Sequence, residues 1–376
     1  MKKMEFFIDR DPFLKVLARI QTVVERRNTM PILGNALLEV AQGRLTVSAT
    51  DLEVSLRTVT RVESVVEGAM TVGARVLFDV VKELPAKAIR LRSEGERLLL
   101  TCDRARFDLA TLPAAQFPRL PDADGEFRLA IPREQLIGML ERTQFAMSTD
   151  ETRYVLNGIF MQVTAAAEAD QPGRIRMVAT DTHRMAMVEQ SLEHTVPDNR
   201  EVILPKKGIH EIRKLLEEDN EPPEMILGET YAQLIKPDLT LVSKVVQGRF
   251  PDWRRVVPTG NTVRLTTTRE AFHQVVKRIS TLSHEKSLGV RLSIEEGRMR
   301  IVTVSPEQEE AEEEMAITFD GPKPITIGFN ARYLREILTV MNGETAQFAL
   351  KDDESPVLVY DPERGDALFV LMPMRV

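Results

Sequence analysis

The sequence predicts an α+β chain of three similar domains with antiparallel sheets, and three observations carry that prediction. A helix pattern recurs at Arg10, Arg133 and Arg269. Alternating strand pairs follow the helix, some around a Gly turn. A second amphipathic helix and further strands then close each third. The order helix, strands, helix, strands therefore returns about every 125 residues, far too long a period for a solenoid repeat.

The opening helix reads Arg10-Asp11-Pro12-Phe13-Leu14-Lys15-Val16-Leu17-Ala18-Arg19-Ile20. Its copies run from Arg133 to Thr143 and from Arg269 to Ile279. The common pattern is Arg, acid, any residue, large apolar, two free, two apolar, one free, Arg. The apolar places share one helical face, and the acid in second place suits the positive N-terminal end of the helix dipole. Strands follow at Ala36–Val40 and Leu45–Asp51 around Gln42-Gly43, at Ile175–Asp181, and at Val290–Ile294 and Met299–Ser305 around Glu296-Gly297. Second helices centre on Val76–Leu84, Gly208–Leu216 and Arg332–Leu338, and strands such as Leu98–Cys102, Leu239–Ser243 and Ala367–Leu371 complete the units. Similar junctions at Phe117-Pro118 and Phe250-Pro251 place the domains at 1–125, 126–251 and 252–376.

Composition narrows the function classes. The chain has 376 residues, 43% hydrophobic and 28% charged, ordinary for a globular protein. Cys102 is the only cysteine, which excludes a disulfide framework and a clustered-cysteine zinc site and fits a reducing compartment. No stretch has the apolar length of a membrane span, and the start lacks the apolar run of a signal peptide. A cytoplasmic protein is expected. Its net charge of −7 argues against coating nucleic acid, so any DNA contact must come from local patches. The repeat helices supply such patches. Arg10, Lys15, Arg19, Arg26 and Arg27 lie in or just beyond the first helix, Lys206, Lys207, Arg213 and Lys214 on the fourth, and Arg269, Lys277, Arg278 and Lys286 around the fifth.

No catalytic signature is found. His210-Glu211 and His284-Glu285 each lack the second histidine of a zinc-protease helix, and no phosphate-binding loop or Gly-x-Ser-x-Gly is present. Asp181-Thr182-His183-Arg184 could be read as a hydrolase loop, but no nucleophile accompanies it. Three stretches invite a binding role instead. Pro306 to Glu314 carries six glutamates, and Asp103 to Leu109 alternates arginines with apolar residues, so the two could pair head to tail. The end, Phe369 to Val376, stays apolar where tails are usually polar and frayed, and is expected to be docked.

Taken together, the residues resemble a known family, the bacterial replicative sliding clamp, the β subunit of DNA polymerase III. The likeness runs the whole length. It rests on Met30–Asn35, Ala49–Glu53, Ala110–Ala115, Arg153–Gly158, Gly248–Val256, Asn330–Leu334, the acidic run and Leu371–Arg375. It implies a non-catalytic, cofactor-free and metal-free protein, a DNA clamp fold with helices lining a ring and antiparallel sheets outside. A head-to-tail homodimer would close that ring on duplex DNA. Helix geometry agrees: six helices packed side by side leave a hole of ~9 Å, twelve leave ~28 Å, and only the second admits a duplex.

The resemblance also implies sites. A partner-peptide pocket between the second and third domains would use Leu156, Thr180, His183, Arg184, Pro251, Arg255 and Val256 together with Met372, Pro373, Met374 and Arg375. Met185, Val370, Leu371 and Val376 would keep its apolar character with different side chains. Through it would come the DNA polymerase III α subunit, the clamp loader, other polymerases and repair proteins. DNA contacts would be Arg27, Arg75 and Tyr154, to which the charge pattern adds Lys206 and Lys207. The dimer contact would use Arg104, Arg106, Phe107, Leu109 and Leu282 against Glu307, Glu309 and Glu310. Thr182 departs from the family's Gly in the Thr-Asp-Gly-His-Arg run, Val76 from a basic residue, and Val155 and Asp150 from polar or aromatic ones. The rival readings are a clamp paralogue with restricted partners and a hydrolase at the Asp181–His183 loop.

Overall fold

The computed structural model describes residues 4–24, 30–121, 127–166, 168, 171–282, 289–305 and 308–375. Six helices lie where the repeat predicts them: α1 (Arg10–Val23), α2 (Ala74–Glu83), α3 (Arg133–Gln144), α4 (Lys206–Glu217), α5 (Arg269–Ile279) and α6 (Ala331–Val340). Their buried faces follow the apolar places of the pattern. In α1 these are Phe13, Val16, Leu17 and Ile20; in α5 they are Phe272, Val275, Val276 and Ile279. The pattern's acid sits in the first turn of α1, α3 and α5 as Asp11, Glu134 and Glu270. Asn330 caps α6, its side chain accepting from the backbone N–H of Arg332 and Tyr333. The Gln42-Gly43 hairpin has φ +52° and +70°, the left-handed pair that matches strand twist.

By its contacts the chain divides into two compact units, each joining parts of successive thirds. One comprises Met1–Arg133 with Lys207–Val245, the other Glu134–Lys206 with Val246–Val376. The physical reason is that strands from successive thirds pair. In the first unit Val54–Arg61 pairs antiparallel with Leu239–Lys244, Leu56 opposite Leu241, so a single 13-stranded sheet runs from one third into the next. In the second unit Arg184–Ser191 pairs with Ala367–Leu371, Ala186 opposite Phe369, inside a nine-stranded sheet. A separate four-stranded sheet ends in Glu310–Ala316, so most of the glutamate run is an edge strand. The expected boundary at 125 lies outside the described residues.

A buried arginine locks each of these two junctions. Arg19 of α1 donates to Glu218 Oε2 at 2.6 Å and to Asp238 Oδ2 at 2.7 Å. Arg142 of α3 donates to Asp366 Oδ2 at 2.7 Å. They occupy the last place of the repeat pattern, and both are almost fully buried. A buried guanidinium is tolerated only when paired, so these carboxylates are structural necessities.

Candidate functional site

Four segments of the second unit build the site: the loop 150–157, the turn 180–184, the segment 250–257 and the tail 372–375. Each is fixed locally. In the turn, the Thr180 hydroxyl donates to Arg184 O (2.7 Å) and accepts from Thr182 N (3.1 Å). Asp181 Oδ1 accepts from the backbone of His183 (2.9 Å) and Arg184 (3.0 Å), and Oδ2 accepts from Arg184 Nε (3.0 Å). The tail is held by Met372 N donating to His183 O and Met374 N to Gly328 O, both 2.9 Å. It is therefore docked, as its apolar sequence implies. In the loop, Asp150 has its carboxyl held below the usual range by hydrogen bonds from the Thr152 hydroxyl and backbone, with the Arg153 charge adding to the effect.

The same turn occurs in the first third. Thr50 donates to Val54 O and accepts from Leu52 N, and Asp51 Oδ1 accepts from Glu53 N and Val54 N. Its tip Leu52 has φ +77°, and Thr182 has φ +78°. This explains the glycine that the family pattern carries at position 182, since left-handed backbone is costly for a β-branched residue. Thr182 is held there partly by Arg153, whose guanidinium donates to its hydroxyl at 3.1 Å. The recurrence also disposes of the hydrolase reading. Asp181 spends its carboxylate on the turn, as Asp51 does, and the first copy has Glu53 where His183 stands.

Beneath the site lies one apolar cluster that includes Leu156, Phe160, Met185, Phe250, Trp253 and Val370, with Val155 and Val256 packed against it. Phe160 and Phe250 stack at 5.0 Å. The surface consists of exposed His183, Pro251, Met374 and Arg375, with half-buried Val256, Met372 and Pro373. Arg255 is 86% exposed and pairs loosely with Asp252. Six of the expected pocket residues sit lower, Leu156 among them in the cluster. Met185, Val370 and Leu371 are wholly enclosed, because their strands are central in the sheet, and so they lie below the surface that the other expected residues form. Thr180 is tied into the turn. Arg184 is buried between the Phe145 and Tyr333 rings and bonds Asp181, Glu336 and Phe145 O, which makes it a pin for the turn. Val376 lies outside the described residues.

Sequence reasoning missed Tyr333, which stacks on both His183 and Arg184, and Phe145 and Glu336. Helix pattern alone marks Tyr333 and Glu336 as ordinary positions of α6. The signal that could have found Tyr333 was its membership of the Asn330–Leu334 motif.

The remaining candidates are dispersed. Tyr154 is 59% exposed, and its ring lies against Gly248, where a Cβ would meet the Val155 and Tyr154 side chains. Arg75 is half-buried and donates to Val24 O at 2.9 Å, just beyond the end of α1. Lys206 begins α4, half-buried. Lys207 has its ammonium on the buried Asp51 carboxylate, which closes the first-third turn. Arg27 lies outside the described residues. Arg104, Arg106, Glu309 and Glu310 are exposed, Phe107, Leu109 and Leu282 half-buried, and Glu307 outside the described residues. Among the described residues no three His, Cys, Asp or Glu side chains are placed to hold a metal, and no helix is long and apolar enough to cross a membrane.

Comparison with known proteins gives consistent matches. Residues 4–121, 130–252 and 254–375 match the models of the N-terminal, central and C-terminal domains of the DNA polymerase III beta subunit. The chain is 38% identical over 375 residues to the beta sliding clamp of Pseudomonas aeruginosa, covering 99% of this chain and all of that one. It is 37% identical to that of Escherichia coli at the same coverage. Its fold matches the crystal structure of the Pseudomonas aeruginosa subunit with TM-score 0.93, covering 99% of this chain and 100% of that one. A Pseudomonas aeruginosa clamp bound to griselimycin matches at 0.92, 38% identical, again over 99% and 100%. The Caulobacter crescentus clamp, with PEG at its proposed β-motif tethering region, matches at 0.94, 39% identical, over 100% of both chains.

Proposed function

The chain belongs to the DNA polymerase III β subunit family, and from that premise we propose that it is a sliding clamp. It is a non-catalytic processivity factor that encircles duplex DNA and tethers the replicative polymerase. Its three domains, 1–125, 126–251 and 252–376, would close into a ring as a head-to-tail homodimer in the cytoplasm. Retention by encirclement needs no tight base contacts. Arg27, Arg75, Tyr154 and Lys206 would touch phosphates loosely, and sliding requires nothing more. The DNA polymerase III α subunit, the clamp loader and other polymerases and repair proteins would share one pocket.

The observation that supports the pocket best is the docked tail. Met372 and Pro373, half-buried, and the exposed Met374 follow directly on the strand whose Val370 belongs to the apolar cluster, and Met372 N donates to His183 O. Methionine gives a soft surface that suits several ligands. Extended peptides carrying a Gln and one or two Leu or Phe residues fit this chemistry. Burying two such side chains offers about 3–6 kcal/mol before ordering costs, so affinity should be near micromolar. The test is titration calorimetry of such a peptide against the full protein and against a chain ending at Leu371. Binding that disappears on truncation, with the dimer intact, supports the reading. Unchanged binding, or no heat with the full protein, contradicts it.

A further inference from the structure

The thioethers of this chain are distributed unevenly. It has 16 methionines, and most are enclosed in the cores of the two units, Met177 and Met185 completely. Among the described residues Met30 and Met374 alone are exposed, 46% and 39%, while Met187, Met315 and Met372 are half-buried. Met372 and Met374 share the tail of the candidate pocket, so that site presents sulfur to solvent where the rest of the second unit mostly hides it. The tail itself is held by its backbone: Met372 N donates to His183 O and Met374 N to Gly328 O, both at 2.9 Å. The strand leading into it is anchored by Val370 and Leu371, both fully buried. None of these anchors is a methionine side chain.

The polarizable sulfur that makes methionine an adaptable surface also makes it a target of two-electron oxidants. With hydrogen peroxide, a sulfur lone pair attacks one oxygen, and the S–O bond forms as the O–O bond breaks. The departing hydroxide takes up the proton of the transferred oxygen and leaves as water. Sulfur is oxidised to the sulfoxide by two electrons, and the peroxide is reduced. The product is polar and chiral, and reductases specific to each epimer reverse it.

We propose that Met374, with the less exposed Met372 beside it, is a reversible oxidation site through which peroxide turns partner binding off. This rests on the pocket reading above and adds its regulation. A Leu or Phe of the partner peptide that packs on a thioether would meet a sulfoxide oxygen instead, and covering that oxygen without a hydrogen-bond donor is costly. Peptide affinity should fall about tenfold or more. The fold should be spared, because the tail's anchors are backbone groups and buried apolar side chains, and because burial shields the core methionines from the oxidant. Met30 lies in the first unit and is about as exposed as Met374, so it serves as an internal reference that the peptide does not cover.

The test treats the full protein with hydrogen peroxide, quenches with catalase and maps sulfoxides by mass spectrometry. Met374 should oxidise at a rate comparable to Met30 and ahead of the buried methionines. The Gln- and Leu- or Phe-bearing peptide, present during treatment, should slow Met374 by about threefold or more and leave Met30 unchanged. In titration calorimetry the oxidised protein should bind that peptide about tenfold more weakly than the untreated one, and methionine sulfoxide reductase should restore binding. The urea midpoint reported by Trp253 fluorescence should not move. Met30→Leu should lose affinity on treatment as the parent does. The double variant Met372→Leu with Met374→Leu, whatever its starting affinity, should change less than about twofold on treatment. Full oxidation of Met374 with affinity within about twofold of the untreated protein overturns the proposal. An equal loss in the double leucine variant overturns it too, as does a Met374 that stays reduced while Met30 is oxidised. Untreated protein that gives no heat with the peptide overturns the pocket reading instead.

Discussion

Replacing Asp181 by Ala separates a structural turn from a catalytic loop. The side chain accepts two backbone hydrogen bonds and one from the Arg184 guanidinium. Each backbone bond contributes about 1 kcal/mol, and the charged one about 1.5–3. Arg184 keeps Glu336 and Phe145 O as partners, so the loss falls at the lower end, about 3.5 kcal/mol. In a unit of this size that lowers Tm by roughly 7–14 °C. The protein carries its own reporter. Trp253 is the only tryptophan and lies in the apolar cluster under the site, so its fluorescence during urea or thermal unfolding reads this unit. Asp181→Asn keeps an acceptor for the two backbone groups and should lose about half as much. Peptide affinity should fall in both, because the His183 carbonyl that holds Met372 rides on the turn. An Asp181→Ala protein within about 0.5 kcal/mol of the parent, with peptide binding intact, would refute the reasoning.

Three further outcomes are expected. Leu52→Gly should stabilise the first unit by up to about 1 kcal/mol, since left-handed strain outweighs the glycine's entropy at a half-exposed tip, and thermal unfolding followed by circular dichroism would detect it. Burial raises the Asp366 carboxyl, but hydrogen bonds from Arg142 and Gln190 and the Arg142 charge outweigh it, so the folded pKa lies below the ordinary value. The pair's stabilisation should be complete above about pH 4–5 and fade as pH falls through that lower value, and Asp366→Asn should flatten this part of a pH–stability curve. Arg75→Ala with Tyr154→Ala should weaken binding to linear duplex equally across sequences, measured by fluorescence anisotropy. A sequence-dependent loss would indicate base reading instead.

Much of this molecule was legible because the sequence repeats. Apolar spacing marked all six helices, and alternation marked the Gln42-Gly43 hairpin. Two things were not legible. Strand order is set by long-range pairing that periodicity does not encode, so the joining of Val54–Arg61 to Leu239–Lys244 across thirds could not be read. Depth was also hidden, since an apolar residue on a central strand reads like one at a pocket wall; hence Met185, Val370 and Leu371 lie under the site. Lys207 illustrates a third limit. A lysine at a helix start counts as a basic patch until its partner, Asp51, is known. Resemblance pointed to the candidate pocket residues, while only the structure showed that Thr182 and Leu52 occupy the same strained place in one recurring turn.

Topology offers the most direct test of the clamp account. The protein should be loaded by a clamp loader onto nicked circular duplex and its retention followed by gel filtration in high salt. Encirclement predicts that it stays on the circle when salt has removed phosphate contacts and leaves when a restriction enzyme linearises the DNA. Loss from the intact circle at high salt, or equal retention after cutting, would contradict encirclement.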